Sequence, residues 1–352
     1  MNKAKMHLNQ TIEWEKCFKS MPDSKKDIYY SLEYYLLYKQ YNNGEPQAYI
    51  FKKNDELAIY PFLYNSINEL GYKLDKEYFD IQGAYGYNGV ISTTCDKNFI
   101  NDFYHSFDEY CYENNIVTEF TRFHPLLNNV RFSDNHLKTE LNRKTVYVDL
   151  SLELEEIVSK FSKSNKRAIK KAKKNNIEIK ILKSGFLIDE FINIYNKTMQ
   201  RVGSREFLFF SKKYFEELFK MKNLIQFCAY HNKTLIASTV CIYSKDFFNY
   251  HLGASLSEFL EFRPNNLLFL EMIKFSKLKN CKFLFLGGGS TTDEDDTLLR
   301  YKASFSNQNI DFQIGERILR QNIYNNITEQ WMDKFPESYK INHKLILGYR
   351  SI

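Results

Sequence analysis

Two rounds of helix and strand signals, in the same order, run through this 352-residue sequence. In the first round, helical spacing over Thr11–Met21 and Ser31–Tyr41 gives way to two strand-like runs, Ala48–Phe51 and Leu57–Leu63, which meet at the turn Asn54-Asp55. A strand over Tyr78–Gln82, an amphipathic helix over Asn98–Glu113 and a strand over Ile116–Phe123 follow. The second round begins with a strand at Thr145–Leu150, helices over Leu154–Phe161 and Ser164–Lys174, and a strand over Ile177–Leu182. Helices over Leu187–Arg201 and Lys212–Met221 precede three strands, Leu224–Tyr230, Leu235–Tyr243 and Phe247–Leu252. A helix (Asn265–Leu278), a strand (Phe283–Leu286), a helix (Thr297–Phe305) and a strand (Ile310–Arg317) complete it, and a helical tail covers Asn322–Phe335. Helices, a strand meander, a helix and a strand, twice over, predict an α/β (α+β) fold of two tandem domains, each a mixed sheet flanked by helices. The border falls near Asn142–Lys144, where no Gly/Ser/Pro-rich linker occurs. The domains are therefore read as 1–144 and 145–352, with the tail 320–352 packing back on the first.

The chain is long enough for two cores, and its 43% hydrophobic and 26% charged residues are those of a globular protein. No apolar run reaches the length of a membrane span, and Met1–Gln10 has no apolar stretch of a secretory signal. Six scattered cysteines without C-x-x-C spacing argue for free thiols in a reducing cytoplasm and against a disulfide framework or a zinc site. A net charge of +6 alone predicts no nucleic-acid partner. No metal motif, phosphate-binding P-loop, nucleophile elbow or G-x-G-x-x-G occurs.

Four stretches carry chemistry. Between Lys160 and Lys174 there are eight Lys or Arg and no acid, with Ile157, Phe161, Ala168, Ile169 and Ala172 forming an apolar stripe. Such a helix attracts phosphates, and Lys163, Lys166, Arg167 and Lys170 are the candidate nucleic-acid contacts. The plain alternative is a solvated helix face. The loop Gly83–Gly89 follows a strand and offers Tyr85 and Tyr87 as flat walls beside glycines that admit a ligand, or it is only a chain reversal. His251-Leu252-Gly253-Ala254 leads through Arg263-Pro264-Asn265 into a helix whose N-terminus suits an anion, or which is merely capped by Asn265 or a neighbour. Finally, a buried strand opens into Gly287-Gly288-Gly289, and Tyr301-Lys302 follows where its lysine can point back. Three consecutive glycines cost chain entropy and suit a place where a ligand or a peptide backbone passes close. Lys302 can steady an oxyanion, or it is one more surface lysine.

In order along nearly the whole chain, these pieces resemble the Fem family of peptidoglycan-bridge aminoacyltransferases and their FemAB-like, GNAT-like relatives. The pieces are Tyr85–Gly89, Val146–Ala172, His251–Ala254, Pro264–Leu268, Leu286–Gly289, Tyr301–Ser306 and the closing Trp331–Arg350. The resemblance implies two tandem GNAT-like acyltransferase domains, with the active cleft mainly in the second. It implies transfer of an aminoacyl group from aminoacyl-tRNA to an amine of a cell-wall or sugar precursor carried by a nucleotide or a lipid, without a permanently bound cofactor. Lys302 falls on the lysine that stabilises the intermediate, Arg201 or Arg205 near an arginine that grips acceptor phosphate, and Tyr85 and Tyr87 on the acceptor loop. His251, Asn265, Gly287, Gly288, Gly289 and Tyr301 complete the substrate contacts, and the general base is left open among Asp293, Asp295, Asp296, His251 and a substrate phosphate. The long helical hairpin in the second domain of the members best known for tRNA use has no counterpart here, and smaller Fem members lack it too. The alternatives are an acyl-CoA-dependent N-acyltransferase of an amino sugar or other small amine, and a non-catalytic module that binds a nucleotide- or lipid-linked sugar. Peripheral contact with a membrane is compatible with the basic helix.

Overall fold

The computed structural model describes residues 11–39, 44–204, 208–293 and 295–352. In chain order the elements begin with α1 (Thr11–Ser20), α2 (Leu32–Lys39), β1 (Glu45–Lys53), β2 (Glu56–Ser66), β3 (Phe79–Gln82), β4 (Ile91–Ser92), α3 (Lys97–Glu113), β5 (Ile116–Arg122) and β6 (Lys138–Asp149). There follow α4 (Leu154–Ser159), α5 (Lys163–Lys174), β7 (Glu178–Leu182), α6 (Ile188–Arg201), α7 (Lys212–Leu218), β8 (Leu224–His231), β9 (Thr234–Tyr243) and β10 (Phe247–Ser255). The chain continues through α8 (Pro264–Leu278), β11 (Phe283–Gly288), α9 (Thr297–Ala303), β12 (Asn309–Ile318), α10 (Gln321–Lys334) and α11 (Pro336–Asn342). The described residues fall into two compact units, one drawn from 1–25, 29–142 and 312–352, the other from 26–28 and 143–311.

In the first unit β1 and β2 form a hairpin across Asn54-Asp55, with Lys53 opposite Glu56 and Asn54 in the left-handed region at φ 55°. β2 pairs antiparallel with β3, β3 parallel with β5, and β5 antiparallel with the Ile314–Ile318 part of β12. Helix α3 starts at Asp96, whose carboxylate accepts from the Phe99 amide at 2.8 Å. Its Phe99, Phe103, Phe107 and Tyr110 recur at helical spacing and pack on Tyr49, Tyr60 and Phe62 of the sheet. The expected tail helix over Asn322–Phe335 is α10; Pro336 cannot continue it and opens a further short helix, α11.

A second cluster joins Ile327, Trp331 and Tyr349 to Ile67, Tyr72, Tyr78 and Val117. At its edge the Asp80 carboxylate is fully buried and accepts from Tyr349 Oη and Arg350 Nε, each at 2.7 Å.

In the second unit the Thr145–Asp149 part of β6 pairs antiparallel with β11, β11 parallel with β10, and β10, β9, β8 and β7 follow antiparallel. Helix α8 connects β10 to β11 and buries Leu268, Met272 and Ile273 in a core shared with Phe227, Phe248 and Leu284. The parallel ladder of β10 and β11 covers only Phe247–Asn249 against Phe283–Phe285. Beyond it β10 runs on beside β9 with a register shift between Tyr250 and Leu252, and β11 beside β6 with a shift between Phe285 and Gly287. Each strand thus carries an irregularity just where the two part. The fold class is the expected mixed α/β one, with helices flanking a mixed sheet in each unit. No helix of the described residues is long and apolar enough to cross a membrane.

Removing the cation beside a buried carboxylate leaves that charge uncompensated. Arg350→Met is therefore expected to lower stability by about 3 kcal/mol, read as a shifted urea midpoint; an unchanged midpoint means that Asp80 is held without it.

Candidate active site

The end of β11 explains its own glycines. Gly287 has φ 75°, a conformation that L side chains rarely adopt. A Cβ on Gly288 would lie 2.9 Å from Arg143 Cδ and 3.1 Å from the Lys144 carbonyl oxygen, and one on Gly289 2.3 Å from Asp296 Oδ1. The close neighbours are therefore the chain's own β6 and the start of α9.

Asp296 is the N-cap of α9. Its Oδ1 accepts from the Leu299 amide at 2.8 Å. Its Oδ2 accepts from the Ser290 and Thr291 amides at 3.0 and 2.9 Å and from their hydroxyls at 2.7 and 3.1 Å. Burial raises the pKa of this carboxyl, but the donors from Ser290, Leu299 and Thr291 outweigh it and hold the group well below the usual carboxylate range. A carboxylate so engaged is a structural acceptor and a poor candidate for the base that the sequence left open. Asp293 and Asp295 are exposed.

Lys302 lies two turns along α9 and is 6% exposed, so it is not a surface lysine. Its Nζ donates to the Gly288 carbonyl at 2.7 Å and stands 5.4 Å from the centre of the Tyr250 ring. Burial pushes its pKa down to about 7, with Asp296 opposing and Arg143 reinforcing the shift. Arg143 Nη1 donates to the Gly289 carbonyl at 2.9 Å. Tyr301 packs its ring on Phe269 and Phe305, and its buried hydroxyl has no hydrogen-bond partner among the described residues. Gly288, Gly289, Tyr301 and Lys302 thus come together, joined by Arg143 and Tyr250, which sequence reasoning missed. Tyr250 was legible as the neighbour of His251 on the strand; Arg143 sits in the domain border with no motif to mark it.

His251 is turned to other company. Its Nε2 lies 3.1 Å from the Tyr214 hydroxyl, and burial pushes its pKa down to about 3, which leaves the ring neutral at pH 7. Asn265 does not cap α8: its side chain donates to Ser255 Oγ at 3.3 Å, and the N-cap is Arg263, left-handed at φ 61° and without a side-chain cap bond. Pro264 occupies the first turn as expected. Arg201 donates to the Ser255 carbonyl at 2.7 Å and to Ser257 Oγ at 3.1 Å, at the end of β10. Arg205 lies outside the described residues.

Helix α5 buries Asn165, Ile169 and Ala172 and exposes Lys163, Arg167 and Lys170, with Lys166 half-buried and donating to the Ser159 carbonyl at 2.6 Å. It is tied to α9 at one end: the Ser162 amide and Asn165 Nδ2 both donate to the Ser304 carbonyl, at 2.9 and 3.1 Å. Tyr85 and Tyr87 belong to the first unit, where Tyr34 Oη donates to the Tyr85 carbonyl at 2.6 Å and the Tyr87 ring packs edge-on against Tyr29, His124 and Phe312.

Residues 159–303 match the model of an acetyltransferase (GNAT) domain. They are a GNAT-type acyltransferase domain, set in a chain with a Fem-like fold. A crystal structure of FemX superposes with a TM-score of 0.68 at 14% identity, covering 91% of this chain and 98% of that one. The C-terminal domain of a putative lysylphosphatidylglycerol synthetase from Agrobacterium fabrum gives a TM-score of 0.53 at 10% identity, covering 88% and 92%. L-PGS from Bacillus licheniformis gives 0.50 at 11% identity, covering 80% and 91%. Comparison by sequence with curated proteins yields no match. In this Fem-like chain the GNAT domain spans the parting of β10 and β11, the basic helix α5 and Lys302.

Asp296→Ala removes a helix cap and is expected to cost about 1–2 kcal/mol at pH 7. Because the native pKa is lowered, the carboxylate's contribution is present above about pH 4 and lost as pH falls toward the native value. The gap between wild type and variant in denaturant melts should therefore narrow on acidification; a gap that widens contradicts the assignment.

Proposed function

We propose that the protein forms an amide between an acyl or aminoacyl group and an amine of a cell-wall or sugar precursor, with aminoacyl-tRNA as donor, in the cytoplasm where that donor is made. The observation that carries this reading is Lys302, a buried amine pinned to the Gly288 carbonyl at 2.7 Å beside the open end of β10 and β11. The acceptor amine attacks the donor carbonyl, a C–N bond forms, and the electron pair of the C=O moves onto oxygen. Lys302 as the ammonium, with backbone amides around Gly287–Gly289, stabilises that oxyanion. Collapse expels the ribose oxygen of the tRNA, which takes the proton lost by the amine. No covalent enzyme intermediate is required, and holding both substrates together supplies much of the rate.

The tRNA donor is supported by α5, whose exposed Lys163, Arg167 and Lys170 form a phosphate-attracting face tethered through Ser304 to the helix bearing Lys302. Lys166 adds to that face. The acceptor is nucleotide- or lipid-linked, with Arg201 on its phosphate. Gly287, Gly288, Gly289 and Tyr301 shape the donor end. A second reading, an acyl-CoA donor, is favoured by the start of α8 at Asn265, where the helix has no side-chain cap.

With a working substrate pair, Lys302→Ala should lower kcat/KM by about 10²–10³-fold. If the ammonium is the working form, wild-type kcat/KM falls as pH rises through about 7, and Lys302→Arg abolishes that limb. A rate that instead rises through this range makes Lys302 a base. Replacing Lys163, Arg167 and Lys170 together by Gln should weaken aminoacyl-tRNA binding and reduce the slope of log K against log salt by about 2–3. Acetyl-CoA binding with no tRNA binding would sink the tRNA donor in favour of the second reading.

A further inference from the structure

Side chains three residues apart on a regular strand point to opposite faces. On β10 the register shift between Tyr250 and Leu252 takes up one residue, and it brings Tyr250 and Gly253 to the same side. The Tyr250 hydroxyl fills the space that a Cβ on Gly253 would take, and the ring carbons Cζ and Cε2 lie 3.0 and 3.1 Å from that point. Gly253 is outside the left-handed region, so space alone forbids it a side chain. Behind the Tyr250 ring stands Phe269 of α8, centre to centre 5.0 Å. The same Phe269 packs on Tyr301 of α9 and on Phe305 just past it, at 5.4 and 4.8 Å. One phenylalanine thus seats Tyr250 against the helix that carries Lys302.

Lys302 Nζ stands over that ring, 5.4 Å from its centre, and donates to the Gly288 carbonyl at 2.7 Å. An ammonium has three hydrogens, and this is its one hydrogen bond among the described residues. The charged and titratable groups that face it are Tyr250 of β10, Arg143 of β6 and Asp296 at the start of its own helix. Arg143 disfavours the charged amine and Asp296 favours it, although Asp296 already accepts from Ser290, Thr291 and Leu299. A buried cation with so little compensation gives up its proton readily. The face of an aromatic ring within about 6 Å attracts a cation, and more strongly where water is excluded. That attraction belongs to the ring and not to its hydroxyl, so phenylalanine supplies it as well.

We propose that Tyr250 is a positioning residue for Lys302: its ring face, aimed by the irregularity in β10 and admitted by Gly253, keeps the lysine charged and in place beside the Gly288 carbonyl. The inference deepens the function proposed above and rests on that reading only for what the ammonium does in the reaction; the pairing of ring and amine requires no substrate.

The test is a pH titration of the full-length protein, its lysine side chains isotopically labelled at Cε, followed by NMR without substrate. The Lys302 signal is the one lost in Lys302→Arg. Tyr250→Leu removes the ring face and should move the Lys302 midpoint to lower pH by about 0.5–1 unit. Tyr250→Phe keeps the face and should titrate as wild type does. Gly253→Ala drives the hydroxyl out of its place and should move the midpoint in the same direction as Tyr250→Leu. Adding Tyr250→Phe to Gly253→Ala removes the clashing oxygen and should restore part of that shift. The proposal is overturned if the midpoint in Tyr250→Leu stays or rises, or if Tyr250→Phe moves it as far as Tyr250→Leu. Should Tyr250→Leu fail to fold, an unmoved midpoint in Gly253→Ala, or a shift that Tyr250→Phe does not relieve, overturns it instead. With a working substrate pair, the falling limb of kcat/KM should follow these midpoints. A limb that ignores them counts against Lys302 in the reaction and leaves the ring and amine paired.

Discussion

The carboxylate of Asp296 holds the candidate site in register. It gathers the amides and hydroxyls of Ser290 and Thr291 on one oxygen and the first turn of α9 on the other. The loop leaving β11 and the helix that follows are thereby fixed to each other across a few residues. Lys302 reaches the Gly288 carbonyl because α9 starts where it does. Without that cap, an unsatisfied Leu299 amide and a loop whose Ser290 and Thr291 amides have lost their acceptor would separate the lysine from the strand it addresses. The same cap keeps Asp296 ionised and close enough to oppose, though not to cancel, the effect of burial on Lys302.

A second constraint is the early parting of β10 and β11. Parallel strands that hydrogen-bond along their whole length leave no backbone donors for a substrate, whereas these pair for three residues and then part, each keeping its neighbour on the other side. The register shifts on each strand lie at the point of divergence, so the opening is part of the backbone's own geometry. The triple glycine ends β11 just past that point, and Lys302 is bonded to its Gly288 carbonyl. In the first unit the analogous organising role falls to Arg122, which knits a glycine-containing loop to a strand end through three carbonyls.

Element order was largely legible, because it rests on hydrophobic period. Phe99, Phe103, Phe107 and Tyr110 announce α3, and the β1–β2 hairpin follows from Asn54-Asp55 between two apolar runs. The two-residue β4 and the long start of β6 at Lys138 were missed: Lys138–Lys144 is polar, and its strand conformation comes from pairing and not from burial of a side-chain row. At the site, Gly287–Gly289 and Lys302 were readable as a strand end followed by a lysine. The depth of Lys302 was not, since a lysine's burial depends on which helix covers it. Asp296 was weighed as a base among neighbouring aspartates, and only the fold distinguishes the one that caps a helix from the exposed Asp293 and Asp295. Arg122 carried no signal, because its partners are main-chain carbonyls, which a sequence of side chains does not spell out.

The three glycines at the end of β11 have separate reasons to be glycine. One is set by a backbone torsion, one by the side chain and carbonyl of β6, and one by the carboxylate that caps α9. No single compensating change elsewhere in the chain could relieve all three, so this tripeptide has almost no mutational slack. A run of this kind is usually taken as the imprint of a ligand. Here architecture alone suffices to forbid side chains at all three positions, and the smooth surface it leaves is available to whatever substrate chemistry comes to occupy it.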